Sequence, residues 1–324
     1  MGYDGDFIPM PLTGDQSPDP IFSLRIREAK GIKIYCLKPA RSEEGSLRDE
    51  IPQEGFGDAV PNVPSTFSMN IRDFGAWITP QLEKLGGDTG VYVKNLATGE
   101  TFARGEDIPV VAASVIKIPV MIEAFRAADA GELSLNEMHA LRDEERMPSC
   151  GTLKAMHTGI EMTLEDLVKL MIIVSDNAAT NIMINRLGIE NVNKTLRSLG
   201  CEKTTLNRLL FDAEASRRGV KNYITAREMG MLLEKLWRGE VVSKEASEQM
   251  MEILLDQRLN GKLPFFIDSM GIDIAHKTGE DDGISHDVGV IYTQEPLVIC
   301  FVGEHVNVPL YERLMQDAAK ALCE

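Results

Sequence analysis

The sequence predicts an α+β fold in three layers, αβα, around a five-stranded antiparallel sheet formed by N- and C-terminal strands. Three observations carry this reading. An amphipathic helix and a hairpin open the patterned region. A long helical stretch with capping signals then runs to about residue 258. Alternating and apolar runs close the chain, two of them separated by four residues. Strands at both ends of one region close most simply as a single sheet. The terminal helices then cover one face, and an inserted all-helical subdomain covers the other.

The elements follow in order. Residues 1–68 read as an N-terminal extension, punctuated by Pro9, Pro11, Pro18, Pro20, Pro52, Pro61 and Pro64 and rich in glycine. Inside it, Ile21 to Arg27 and Ile32 to Leu37 alternate around a turn at Glu28–Gly31, the pattern of a β-hairpin. Residues 69–324 form the second region. Ile71 to Leu85 carries Phe74, Trp77, Ile78, Leu82 and Leu85 at helical spacing. Gly90–Leu96 and Glu100–Ala103 flank Ala97-Thr-Gly99 as a second hairpin. Thr163-Leu-Glu-Asp166 and Thr225-Ala-Arg-Glu228 have the form of capping boxes, in which a hydroxyl and a carboxylate satisfy free backbone N–H groups. Ile272–His276, His286–Tyr292 and Leu297–Val302 read as strands. Only Thr293-Gln-Glu-Pro296 separates the last two, so they should pair antiparallel. A helix from about Leu310 to Cys323 ends the chain.

Composition excludes several functions. The 324 residues are 44% hydrophobic, ample for a core, and 50 acidic against 34 basic residues give a net charge of −16. Such a chain should be repelled by nucleic acid and by anionic membrane surfaces. No stretch approaches the ~18–20 continuous apolar residues of a membrane span. The start, Met1 to Phe7, has neither a basic region nor an apolar core of a signal peptide, so a cytoplasmic location is expected. Cys36, Cys150, Cys201, Cys300 and Cys323 are odd in number and never in Cys-x-x-Cys spacing. The five histidines are equally scattered. Neither a disulfide framework nor a metal site is expected, and no cofactor.

Three short words carry chemistry: Ser114-Val-Ile-Lys117, Ser175-Asp-Asn177 and Lys277-Thr-Gly279. Ser-x-x-Lys alone arises by chance about once in a chain this long; all three in order and in context do not. Ser114 falls near the N-terminus of an apolar helix, where free N–H groups and the helix dipole favour developing negative charge. Lys117, one turn on, lies on the same face. A serine is a poor nucleophile until a base takes its proton, and lysine serves as that base only when burial or a nearby cation makes it neutral. Pro119, early in this helix, should loosen its first turns. Ser175-Asp-Asn177 sits between two apolar helices, where polar groups need partners; it offers a proton shuttle in Ser175 and an amide contact in Asn177. Lys277-Thr-Gly279 reads as a strand end. Its edge can bind an extended substrate, Gly279 allows close approach, and Lys277 would attract a carboxylate. Backbone N–H groups of Ser114 and Glu280 would form an oxyanion hole. Cys150 reads as a plain loop cysteine, and His286 and Asp287 as structural residues at a strand start.

The combination resembles the class A β-lactamases and penicillin-binding proteins. The resemblance covers about residues 69–324, and Val174-Ser-Asp-Asn-Ala-Ala-Thr-Asn181 is its closest run. It implies a serine hydrolase with the active site between sheet and helical subdomain and an acyl-enzyme on Ser114. Lys117, Ser175 and Lys277 would be catalytic, and Asn177, Thr278, Gly279 and Glu280 would bind a small-molecule amide or ester of the β-lactam type. Two features depart from the family. Its Glu-x-x-Leu-Asn element, which activates the deacylating water, has no counterpart between Leu206 and Asn222. Asp212 and Glu214 are the carboxylates available there, and neither stands in the matching frame. The family also usually acts outside the cytoplasm. These departures keep open a cytosolic esterase, amidase or peptidase on another acyl substrate, and a non-catalytic domain that binds and senses an acylating ligand.

Overall fold

Residues 69–324, with the backbone of two strands near the start, are described by the computed structural model. The chain divides into two compact units, Met1–Pro61 and Asn62–Glu324. In the first, β1 (Phe22–Ala29) pairs antiparallel with β2 (Ile32–Pro39), across the two alternating runs. The proline-rich remainder of residues 1–68 lies outside the described residues.

In the second unit, α1 spans Ile71–Leu85, the bounds its periodicity predicts. Asn70 caps it, accepting from the Asp73 N–H at 2.9 Å, and Gly86 in the left-handed region stops it. Ile71, Phe74, Ile78 and Leu82 are buried. At ~1.5–3 kcal/mol for each such side chain, this burial rather than intrinsic propensity holds the helix. There follow β3 (Asp88–Asn95), β4 (Thr101–Arg104), a short β5 (Val110–Val111), a 3₁₀ turn (Ala113–Ile116) and α2 (Lys117–Asp129). The middle is not all helical. β6 (Met138–Ala140) pairs with β7 (Glu161–Thr163), and β5 pairs with β8 (Tyr223–Ile224). Around these ribbons pack α3 (Leu164–Ile173), α4 (Asn177–Leu187), α5 (Ile189–Ser198), α6 (Ala213–Arg217), α7 (Ala226–Trp237) and α8 (Lys244–Leu255). After a single turn, α9 (Pro264–Ile267), come β9 (Ile274–Asp281), β10 (Ile284–Ile291), β11 (Leu297–Glu304) and α10 (Val308–Cys323).

The five long strands form one antiparallel sheet in the order β4-β3-β11-β10-β9. The helices α1 and α10 cover one face; α7 and α8 cover the other. The predicted three-layer closure is therefore observed, with a separate apolar core on each side of the sheet. β10 and β11 are buried along their whole length, whereas β9 is an edge strand. Lys277-Thr-Gly279 lies inside β9 rather than at its end. Pairing continues to Asp281↔Ile284 because the turn is placed at Asp282–Gly283, where Gly283 takes the required positive φ of 66°. Gly303 lets α10 approach: a Cβ there would stand 2.6 Å from the Tyr311 ring, whose hydroxyl donates to the Val302 carbonyl. Among the described residues no helix is long and apolar enough to cross a membrane.

Candidate active site

Ser114 occupies the 3₁₀ turn between β5 and α2. The preceding Ala113 has φ 42°, a left-handed conformation that an alanine holds only where its surroundings impose it. Pro119 is the third residue of α2, and the turn before it is 3₁₀ rather than α, as its position predicts. The helix α2 is buried on nearly every side, so Lys117, in its first turn, has no exposure at all. Its Nζ lies 3.0 Å from Ser114 Oγ, 2.8 Å from Ser175 Oγ, 2.7 Å from the Ser175 carbonyl and 2.9 Å from Asn177 Oδ1.

Ser175 follows the end of α3 with φ 55°, which turns the chain sharply into α4. Asp176 then serves two structures. One carboxylate oxygen caps α4 by accepting from the Ala179 N–H; the other accepts from the N–H groups of Thr152 and Leu153. It thereby ties the 148–153 loop to the Ser-Asp-Asn turn. Gly151 sits against it at φ 110°, where a Cβ would come within 2.5 Å of the Asp176 Cα. Asn177 donates its amide to the Pro148 carbonyl, which turns its Oδ1 toward Lys117.

Lys277 reaches the same point from β9. Its Nζ donates to Ser175 Oγ at 3.1 Å and to the Thr278 carbonyl at 2.8 Å. Burial pushes the Lys277 amine down to about 7, against a partial upward pull from Asp287. Lys117 is pushed well below the ordinary lysine range, first by burial and then by the Lys277 charge beside it. Two lysines and two serines therefore converge on one another, with Ser175 Oγ bridging the amines.

Behind β9 and β10 lies a polar layer that no sequence motif announced. Buried Lys262 donates to the carbonyls of Gly279 and His286 and pairs with Glu280 at 3.2 Å and Glu312 at 3.4 Å. Buried Asp287 holds the His276 ring at 2.8 Å and accepts from the Leu263 N–H. His286 is neutral in a fixed tautomer: Nδ1 accepts from the Gly303 N–H, and Nε2–H donates to the Val111 carbonyl, three residues before Ser114. Burial lowers its pKa to about 4.

Ser114, Asn177, Cys150 and Glu280 line a cleft of about 410 Å³, closed on one side by the 206–222 loop. Lys277 and Thr278 are buried in β9 beside this cleft, and the Lys277 amine is engaged by Ser175 Oγ and the Thr278 carbonyl. Two bonds seat the loop on α4: Asn181 accepts from the Leu210 N–H and donates to the Leu210 carbonyl, both at 2.9 Å. Leu210 and the exposed Phe211, with φ 58°, therefore face the cleft. Of the two loop carboxylates, Asp212 lines the cleft but uses an oxygen to cap α6 at the Ala215 N–H. Glu214 does not line it; it points to solvent and pairs with Arg218 at 3.8 Å. Cys150 is exposed in the cleft wall, and no group of three His, Cys, Asp or Glu suited to a metal ion occurs among the described residues.

Residues 74–324 match the model of the beta-lactamase enzyme family. A beta-lactamase of Rhodobacter capsulatus is 30% identical over 183 residues, which are 56% of this chain and 62% of the relative; the match thus spans less than two thirds of that relative's length. The beta-lactamase from Sphaerobacter thermophilus DSM 20745 superposes with a TM-score of 0.71 at 32% identity, over 78% of this chain and 96% of its own. A substituted form of PBP-A, solved as an acyl-enzyme complex with penicillin G, gives 0.70 at 26% identity, over 79% of this chain and 96% of its own.

Proposed function

The chain belongs to the beta-lactamase enzyme family, and from that membership we propose that it is a class A-like serine hydrolase that opens an amide or ester bond, β-lactams included, through an acyl-enzyme on Ser114. One observation carries the reading: the four contacts of Lys117 Nζ. Two of its partners, the Ser175 carbonyl and Asn177 Oδ1, can only accept. A neutral amine spends both N–H groups on them, and its lone pair is left for the hydroxyls, Ser114 Oγ at 3.0 Å among them. That is the arrangement a general base needs.

Ser114 Oγ bonds to the acyl carbon while its proton passes to Lys117. The carbonyl pair moves onto oxygen, where the backbone N–H groups of Ser114 and Glu280 stabilise it. As the carbon–nitrogen bond breaks, Ser175 Oγ–H protonates the leaving nitrogen, and Lys117, 2.8 Å away, returns a proton to Ser175. Water must then attack the ester. A positioned base is worth roughly 10²–10⁴-fold in such a step. The loop facing Ser114 offers Leu210 and Phe211 there, while Asp212 is engaged as a helix cap. Hydrolysis of the acyl-enzyme is accordingly slow.

Intact-mass analysis after mixing with penicillin G tests both parts. The expected result is one adduct per chain, absent in Ser114→Ala and persisting for minutes, with a burst and a slow steady state on a chromogenic cephalosporin. An adduct unchanged in Ser114→Ala refutes the nucleophile. Turnover at ~10–10³ s⁻¹, typical of efficient enzymes, refutes slow deacylation.

A further inference from the structure

The short strand β5, which leads into the Ser114 turn, pairs along one edge with β8. Ala112 carries that pairing on by donating its N–H to the Asn222 carbonyl at 2.9 Å. Alternate residues of an antiparallel strand present their N–H and C=O groups to opposite edges. Val111 therefore offers both of its groups to the side away from β8. Two side chains of the large sheet, rather than a third strand, meet them there. The Val111 N–H donates to Glu304 Oε2 at 2.9 Å, and the Val111 carbonyl accepts from His286 Nε2 at 2.8 Å. Glu304 ends β11 and His286 lies in β10, its neighbour in the sheet. Glu304 is buried, and its other oxygen faces Lys221 at 3.5 Å and His305 Nε2 at 4.0 Å. Lys221 and His305 are exposed, and such pairs are worth little. A hydrogen bond to a buried carboxylate is worth more.

This grip works against strain. Ala113 holds φ 42°, a conformation that persists only when the residues on both sides are fixed. After it, the buried helix α2 is fixed, and the Val115 N–H closes on the Ala112 carbonyl at 3.1 Å. Before it stands Val111, held by Glu304 and His286. A relaxation of φ at Ala113 would swing the next residue, Ser114, whose Oγ now lies 3.0 Å from Lys117 Nζ. We propose that Glu304 is a positioning residue for acyl transfer: by accepting from the Val111 N–H it holds the strained turn that aims Ser114 Oγ and the Ser114 N–H at the acyl group. This rests on the acyl-transfer reading above and adds to it a residue outside the cleft lining. Misplacing a reacting atom by about 1 Å costs on the order of 10²-fold in rate. The loss should therefore fall on the limiting rate of acylation and not on the penicillin concentration that half-saturates it.

Intact-mass time courses over a series of penicillin G concentrations give both quantities. Glu304→Ala lowers the limiting rate roughly 10- to 100-fold and leaves the half-saturating concentration where it was. Glu304→Leu fills the same space without an acceptor and does the same, which keeps the test open should the alanine variant not fold. Glu304→Gln, whose amide oxygen still accepts from the Val111 N–H, recovers most of the rate. Tyr311→Phe, which removes a bond to the Val302 carbonyl of the same strand β11, leaves the limiting rate unchanged. Backbone hydrogen exchange across residues 110–116 rises in Glu304→Ala and not in Glu304→Gln. The inference is overturned if the alanine and leucine variants acylate at the wild-type rate, if they move only the half-saturating concentration, or if Glu304→Gln is as slow as they are. A wild type labelled by neither penicillin G nor a fluorophosphonate overturns the acyl-transfer reading itself, and this role of Glu304 with it.

Discussion

Replacing Lys277 by methionine should make the protein more stable at pH 7 and less stable at pH 10. The amine is fully buried with its pKa lowered from 10.5 to about 7. Between those values the unfolded chain holds a proton that the folded chain does not, so wild-type stability rises with pH across this window. At 1.36 kcal/mol per pH unit, the buried amine costs about 4 kcal/mol at pH 7 and about 1 kcal/mol at pH 10. Against this stand its hydrogen bonds to Ser175 Oγ and the Thr278 carbonyl, together worth about 2 kcal/mol. Lys277→Met should therefore gain about 2 kcal/mol at pH 7 and lose about 1 kcal/mol at pH 10. The swing of about 3 kcal/mol depends only on the proton and not on the hydrogen-bond figure. Urea unfolding followed by circular dichroism, wild type and variant side by side at both pH values, measures it. Equal displacements at the two values would refute a depressed lysine and with it the proton traffic assigned to the cluster. Acylation should slow in the same variant, since Ser175 Oγ loses one of its two amines.

Lys117→Ala should slow acylation roughly 10²–10⁴-fold. Acylation by the wild type should rise with pH through the lowered pKa of Lys117, because the neutral amine is the base, while the variant's residual rate should be flat over that range. Gly151→Ala should cost about 3 kcal/mol or more in denaturant unfolding, since it combines a φ of 110° with a clash against Asp176 that neither backbone can relieve. Asn181→Ala removes both partners of the Leu210 backbone and should increase hydrogen exchange across residues 206–222 by about tenfold or more, equivalent to at least ~1.4 kcal/mol. Unchanged exchange there would mean that the loop is held by other contacts.

What could be read from the sequence was local. The helix Ile71–Leu85 and the capping box at Thr163 and Asp166, with both reciprocal bonds made, depend on residues at most four apart. The similar signature at Thr225 was half right. Thr225 Oγ1 does accept from the Glu228 N–H, but the Glu228 carboxylate turns instead to the N–H groups of residues 202, 203 and 204. A three-donor turn competes better for a carboxylate than a single N–H does, and no spacing rule shows that turn. The three short words were legible because their polar atoms follow from helix and strand geometry within each word. Lys262, the Asp176–Gly151 contact and the Asn181–Leu210 clasp were not. Their partners lie 17 to 50 residues away, and only the packed chain brings them together. The strand ending at Asp281 was misjudged by a few residues because glutamate and aspartate discourage a strand reading, whereas here they occupy an edge with solvent on one side.

His286 gives the acid limit of this protein a definite address. Its ring can serve Gly303 and Val111 together only while Nδ1 is bare. Its folded-state pKa is depressed from 6.5 to about 4, so the support it gives is complete above 6.5 and is withdrawn as pH falls toward 4, about 3 kcal/mol in all. Protonation sets a hydrogen against the Gly303 N–H at the seam of β10 and β11. It also charges the peg on which β5, and Ser114 three residues beyond, are hung. Acid thus reaches Ser114 through the sheet, by way of the β5 carbonyl that His286 holds.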